Sequence, residues 1–187
     1  MPPVRASAAA DATRRIQRTS RVLAAVCLVL IWGLPATVLL YWWLAEPVEL
    51  ARQVNLSADA VMAPLMPWQR ALGGMLTLLP VALLVSGLVQ ARRCFRLFAA
   101  GRVFVAESTG YLRRFAGRVA ASVAVGMLSS TVLSVVLTVN NPPGMRQLAI
   151  GVGSNEVFML LFAGMVWLMA AVIGQGRSLA EENESFV

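Results

Sequence analysis

The sequence contains no histidine and no lysine, and only two cysteines in 187 residues. Without histidine it lacks the commonest general base and the commonest metal ligand. Cys27 stands in an apolar run and Cys94 in a basic stretch, so they form no CxxC pair. Two thiols cannot supply the four ligands of a structural zinc site, and they read as unpaired. Charge is scarce too, at 13% of residues, and four long windows hold no Asp, Glu or Arg at all. Ion-coupled transporters and pumps rest on ionisable groups inside the membrane, so that class is disfavoured. Membrane hydrolases need a Ser–His, Cys–His or metal arrangement, which this chain cannot complete. A GxxxxGK[ST] phosphate loop is absent as well. The expectation is a protein that is not an enzyme, with no catalytic residues, cofactor or metal.

What remains is apolar. Hydrophobic residues make up 58% of the chain, and the mean hydropathy is +0.72. The four charge-free windows are 22–44, 71–91, 119–139 and 157–176. Each reaches the roughly 20 residues that a helix needs to cross a bilayer. The fold class expected is therefore all-α, an integral membrane four-helix bundle over 21–187. Residues 1–20, rich in Ala, Arg and Pro, read as a disordered basic tail. The first window is read as an uncleaved anchor and not a secretory signal, because it is long and no small-x-small site follows it.

Arginine placement gives the orientation. Thirteen of the sixteen arginines lie in the N-terminal tail, between the second and third windows, or after the fourth; only Arg52, Arg70 and Arg146 lie elsewhere. Basic residues are retained in the cytoplasm, so both termini and the central loop are expected there, in a bacterial inner membrane. Tyr41, Trp42, Trp43 and Trp68 then read as an aromatic belt at the outer interface. In the outer segments, 48–52 suggests one or two surface turns of helix, Asn55-Leu56-Ser57 matches a glycosylation tripeptide, and Asn-Asn-Pro-Pro-Gly from Asn140 is a helix stop.

Within the windows the most ordered pattern is in the third. Ser122, Gly126, Ser130, Ser134 and Thr138 recur every four residues, a ridge of small side chains suited to close helix packing in lipid. Gly73, Gly74, Ser86 and Gly87 of the second window, and Gly164, Ala170 and Gly174 of the fourth, are candidate partners for it. The alternative is a hydroxyl-lined path for a polar solute. Pro35 and Pro80 should each bend their helix.

The central loop interleaves arginine with Phe and Leu, which suits contact with anionic headgroups. Gly101 is placed to end the helix leaving the second window, and Ser108 or Thr109 to cap the next. The C-terminal tail carries Glu181, Glu182 and Glu184, able to pair with the loop arginines or simply to sit in solvent. Candidate partner-docking residues are Arg92, Arg93, Arg96, Gly101, Phe104, Arg113, Arg114, Glu181, Glu182 and Glu184.

Two stretches, Gly101-Arg102-Val103-Phe104-Val105 with Leu112-Arg113-Arg114, and 179–187, resemble a family of small bacterial membrane proteins catalogued as domain of unknown function 2975. The family's pattern is about G-x-x-F-x-x-E/D before the third span and E-E-N-E-x-x-V at the C-terminus. This chain departs from it at Ala106 and Ser108, where members tend to have Thr-x-Glu-Asn. The resemblance implies the four-span layout and, since members are often encoded beside a small helix-turn-helix repressor, a cytosolic transcription regulator as partner.

The function expected is regulatory or signalling, with a cytosolic partner docked through the basic loop and acidic tail. The alternative is a permease or channel subunit acting as a homo-oligomer. Immunity to a toxic peptide fits size and topology only. Direct nucleic-acid binding is not expected, because the positive-inside rule already accounts for the arginines.

Overall fold

The computed structural model describes the backbone of residues 3–54, 56–57, 65–102, 105–142, 144–151 and 153–184, with side chains described from 14 to 176 within those ranges. Five helices form among them: α1 (Pro3–Leu44), α2 (Pro47–Gln53), α3 (Pro67–Ala99), α4 (Ala106–Thr138) and α5 (Ser154–Glu184). Four are long and apolar enough to cross a membrane, and they contain the four expected spans, α4 ending one residue short of 139. Their apolar side chains are widely exposed, among them Val29, Leu128, Phe158, Leu161 and Ile173. Such surfaces suit acyl chains, and closed helices leave no backbone group for lipid to satisfy. The chain is a multi-pass membrane protein.

Local sequence explains where the helices begin and end. Pro67 occupies the first helical position of α3, where its missing N–H costs nothing. Gln69, two residues on, accepts the Met66 N–H at 2.9 Å. Glu156 does the same for Gly153 at the start of α5, again at 2.9 Å. Both are the reach-back half of a capping box.

The α3 C-terminus closes as a Schellman motif: Gly101 N donates to Phe98 O and Arg102 N to Leu97 O, both at 3.0 Å. Gly101 has φ +79°, the left-handed conformation that this motif needs. Gly101→Ala should therefore lower stability by about 1 kcal/mol, because a Cβ disfavours that conformation and would also come within 3.2 Å of Gln17 Nε2. Thermal unfolding of the purified chain checks this; an unchanged midpoint would show that the turn tolerates a side chain.

A helix of 33 residues, as in α3 and α4, is about 50 Å long against a hydrocarbon core of about 30 Å. The basic stretches flanking Gly101 are thus mostly helix, with a short turn between them.

The chain divides into two compact units, and each long helix contributes a segment to both. The first comprises Met1–Ile31, Val85–Arg118 and Phe162–Val187. Its buried side chains are small: Ser20, Cys27, Ala91, Cys94, Ser108, Ala116, Ala163 and Ala170. Small residues at these positions let helix backbones approach closely, the usual basis of packing in lipid. Both cysteines are free thiols.

The second unit, Trp32–Leu84 and Val119–Leu161, has a conventional core. Trp42, Ala45, Leu50, Ala51, Val54, Leu56, Leu133 and Leu137 cluster there, with Val38, Tyr41, Leu65, Leu76 and Ala149 against them.

Three expectations need correction. The stretch read as a disordered tail belongs to α1, which begins at Pro3; its Ala and Arg are strong helix formers and no glycine interrupts them. The turns expected at 48–52 form α2, an amphipathic helix with Leu50 and Ala51 fully buried and Val48, Glu49 and Arg52 exposed. Trp42 is no interface anchor: it is 4% exposed whereas Trp43 is 85% exposed. Ser108 and Thr109 do not cap α4, which starts at Ala106. Their hydroxyls instead donate backwards to Val105 O at 2.7 Å and Ala106 O at 2.9 Å, a local alternative open to any Ser or Thr in a first turn.

Candidate functional site

In the first unit, α3 and α4 approach closely beside the Gly101 turn. A Cβ at Gly87 would lie 3.1 Å from Arg118 Cβ and 3.5 Å from Phe115 Cδ2. Nearer the turn, Cys94 Sγ donates to Ser108 O at 3.6 Å, and both residues are buried. With that seam apolar or small, the longer arginines are left on the remaining faces.

The arginines divide by environment. Arg92 is half-buried, and its Nε, like Gln90 Oε1, is sealed from solvent without a hydrogen-bond partner among the described residues. Arg113 stacks over Trp167, its guanidinium carbon 5.1 Å from the ring centroid. A cation over indole gains about 0.5–1 kcal/mol at an exposed site. Arg118 Nη1 donates to Ser86 Oγ at 3.4 Å. Arg93, Arg96, Arg102 and Arg114 are exposed, and among the described residues no hydrogen bond or ion pair engages their side chains. Exposed Gly101 lies in the same turn. Phe104 falls outside the described residues, as do the side chains of Glu181, Glu182 and Glu184, although α5 runs on to Glu184.

The ridge of α4 lies mainly in the second unit, and its partners differ from those expected. Ser122 Oγ donates to Pro80 O at 2.7 Å, and a Cβ at Gly126 would sit 3.7 Å from Pro80 Cβ. The upper ridge holds an extended segment: Ser134 Oγ accepts Ala149 N at 3.0 Å, and Thr138 Oγ1 contacts Gln147 N at 3.3 Å and Gln147 O at 3.2 Å. Ser134 and Thr138 are 0% and 1% exposed. Ser130 Oγ donates to Met127 O in its own helix at 2.9 Å.

The proposed glycine partners serve elsewhere. Gly73 and Gly74 face Trp42, Gly87 faces Phe115 and Arg118, and Gly164 and Gly174 meet nothing within 4 Å. Sequence reasoning missed this because a recurrence of four residues marks a face without saying what covers it. It also missed Gln69, a lone amide beside a proline, whose three hydrogen bonds join α3 to the end of α4.

Comparison with known proteins gives one positive result. The family model described as "Protein of unknown function (DUF2975)" matches residues 56–187, so the match takes in α3, α4, α5 and the Gly101 turn. No curated protein and no solved structure matches.

Proposed function

The chain belongs to the DUF2975 family, and from that premise we propose that it is a regulatory or signalling protein of the bacterial cytoplasmic membrane, without enzymatic activity. Its arginine-bearing turn docks an acidic surface of a cytosolic partner. The observation that carries this is the distribution of positive charge. Thirteen of the sixteen arginines belong to the first unit, and four of them, Arg93, Arg96, Arg102 and Arg114, are exposed with no partner among the described residues. Retention of basic segments then puts that unit at the cytoplasmic face, with both termini. The acidic residues Glu181, Glu182 and Glu184 carry the charge that would let the tail compete with a partner for the same arginines.

The permease alternative would need the Ser/Thr ridge to face a passage. Ser134 and Thr138 are instead buried and hydrogen-bonded within the second unit, which favours their role in packing.

A small helix-turn-helix regulator, the partner that the family resemblance implies, provides the test. Titrated onto the full chain in zwitterionic nanodiscs, it should bind. Combined replacement of Arg93, Arg96, Arg102 and Arg114 by glutamine should weaken binding about tenfold or more. Undiminished binding would sink the docking idea. Guanidinium groups that respond only to anionic lipid would be headgroup contacts instead.

A further inference from the structure

The second unit contains a cavity of about 220 Å³ that the docking proposal does not use, lined by Thr77, Pro80, Ser129, Ser130, Leu133 and Glu156, among others. That volume equals roughly seven waters at about 30 Å³ each, enough for a small organic molecule. The polar groups around it are unevenly matched. Thr77 Oγ1 gives its proton to Gly73 O at 2.9 Å and accepts Trp42 Nε1 at 3.1 Å, leaving one lone pair. Ser130 Oγ gives its proton to Met127 O, leaving two. Glu156 accepts Gly153 N through Oε2, and its other oxygen makes no hydrogen bond with a described residue. All three groups therefore offer acceptors and no donor.

Ser129 supplies the independent observation. It lines the cavity and is only 8% exposed, and its hydroxyl makes no hydrogen bond with a described residue. Pro80, Leu133, Val54 and Met127 add an apolar wall. No arginine lines the cavity, so nothing offsets the one carboxylate. A divalent metal ion is a poor match, since no group of three His, Cys, Asp or Glu is poised to hold one among the described residues.

We propose that this cavity, with the Glu156 carboxylate and the Thr77, Ser129 and Ser130 hydroxyls, is a binding site for a small organic ammonium ion with a short apolar body. An ammonium head brings three donors and no acceptor, the complement of this lining. Anions are repelled by Glu156, and the side-chain donors left to them are the Ser129 hydroxyl and the amide of exposed Gln53. The inference stands apart from partner docking, because its residues all belong to the second unit.

Calorimetric titration of the full chain in zwitterionic nanodiscs tests it, with n-butylammonium, 1-butanol and butyrate as probes. Butylammonium should bind saturably and the other two should not. Glu156→Gln should weaken its binding about tenfold or more, while retaining the cap, since glutamine can also accept the Gly153 N–H. Ser129→Ala should weaken it as well, and Glu107→Gln, an exposed acid of the first unit, should not. Equal response to all three probes would mean apolar partitioning and overturn the site. So would no binding, or binding that survives Glu156→Gln in a chain that still unfolds cooperatively.

Discussion

Gly73→Ala should destabilise the protein by about 1–5 kcal/mol, although alanine is the better helix former by about 1 kcal/mol. A Cβ at Gly73 would overlap the Trp42 ring at Cη2 and Cζ3 and lie 2.8 Å from Cζ2. The indole has little room to yield. It is 4% exposed, packed in the core cluster with Leu50 and Ala51, and its Nε1 donates to Thr77 Oγ1 at 3.1 Å. Turning it aside would break that bond and leave a buried N–H, at about 1–3 kcal/mol, on top of about 1–3 kcal/mol for overpacking. Steric overlap therefore outweighs propensity.

The neighbouring glycine is the control. A Cβ at Gly74 meets Trp42 no closer than 3.7 Å, an ordinary contact, so Gly74→Ala should be neutral or slightly stabilising. Denaturant titration of the purified chain, followed by tryptophan fluorescence, would compare the two. Removing the ring by Trp42→Ala should also erase most of the Gly73→Ala effect, as coupled neighbours do. Equal stability of the two alanine variants would show that the indole is not seated over Gly73.

Much of this architecture was legible in the sequence. The four spans announce themselves through charge-free length, because a bilayer tolerates little else. Gly101 was legible for the same kind of reason: a lone glycine where a helical pattern stops has few other uses. The ridge of α4 was visible as a face, and Ser122 and Gly126 do pack against α3 at Pro80.

What covers the upper ridge was not visible. Residues 145–151 show no periodicity, and only the folded chain brings Gln147 and Ala149 to Thr138 and Ser134. Trp42 and Trp43 are adjacent and chemically identical, so composition could not tell the buried ring from the exposed one. Helical rotation of about 100° per residue separates them. Glu156 stands one residue before the fourth window, and its cavity is completed by Ser129 and Thr77 from other helices, which no local pattern announces.

Gln69 carries the second large effect. It is 1% exposed, and its amide is fully used: Oε1 accepts Met66 N at 2.9 Å and Asn140 Nδ2 at 3.0 Å, and Nε2 donates to Val136 O at 2.8 Å. Val136 lies in the last turn of α4, where carbonyls have no intrahelical donor, and Met66 N is the matching orphan at the start of α3. One side chain thus caps two helices. Gln69→Ala would remove all three bonds and open a cavity, for a loss of about 3–4 kcal/mol.

Gln69→Glu separates the donor from the rest. An ionised carboxylate can still accept from Met66 and Asn140, but it faces Val136 O with no proton to give. The protonated acid restores that donor. Its folded pKa must then lie above its unfolded value of about 4.3, so the folded state binds more protons. Stability should be retained below the unfolded pKa and be lost as pH rises through the folded one. The difference in unfolding free energy between wild type and Gln69→Glu, measured across pH 4 to 8, should therefore widen as pH rises. A pH-independent gap would mean that the contact with Val136 O contributes nothing, and that Gln69 serves only the start of α3.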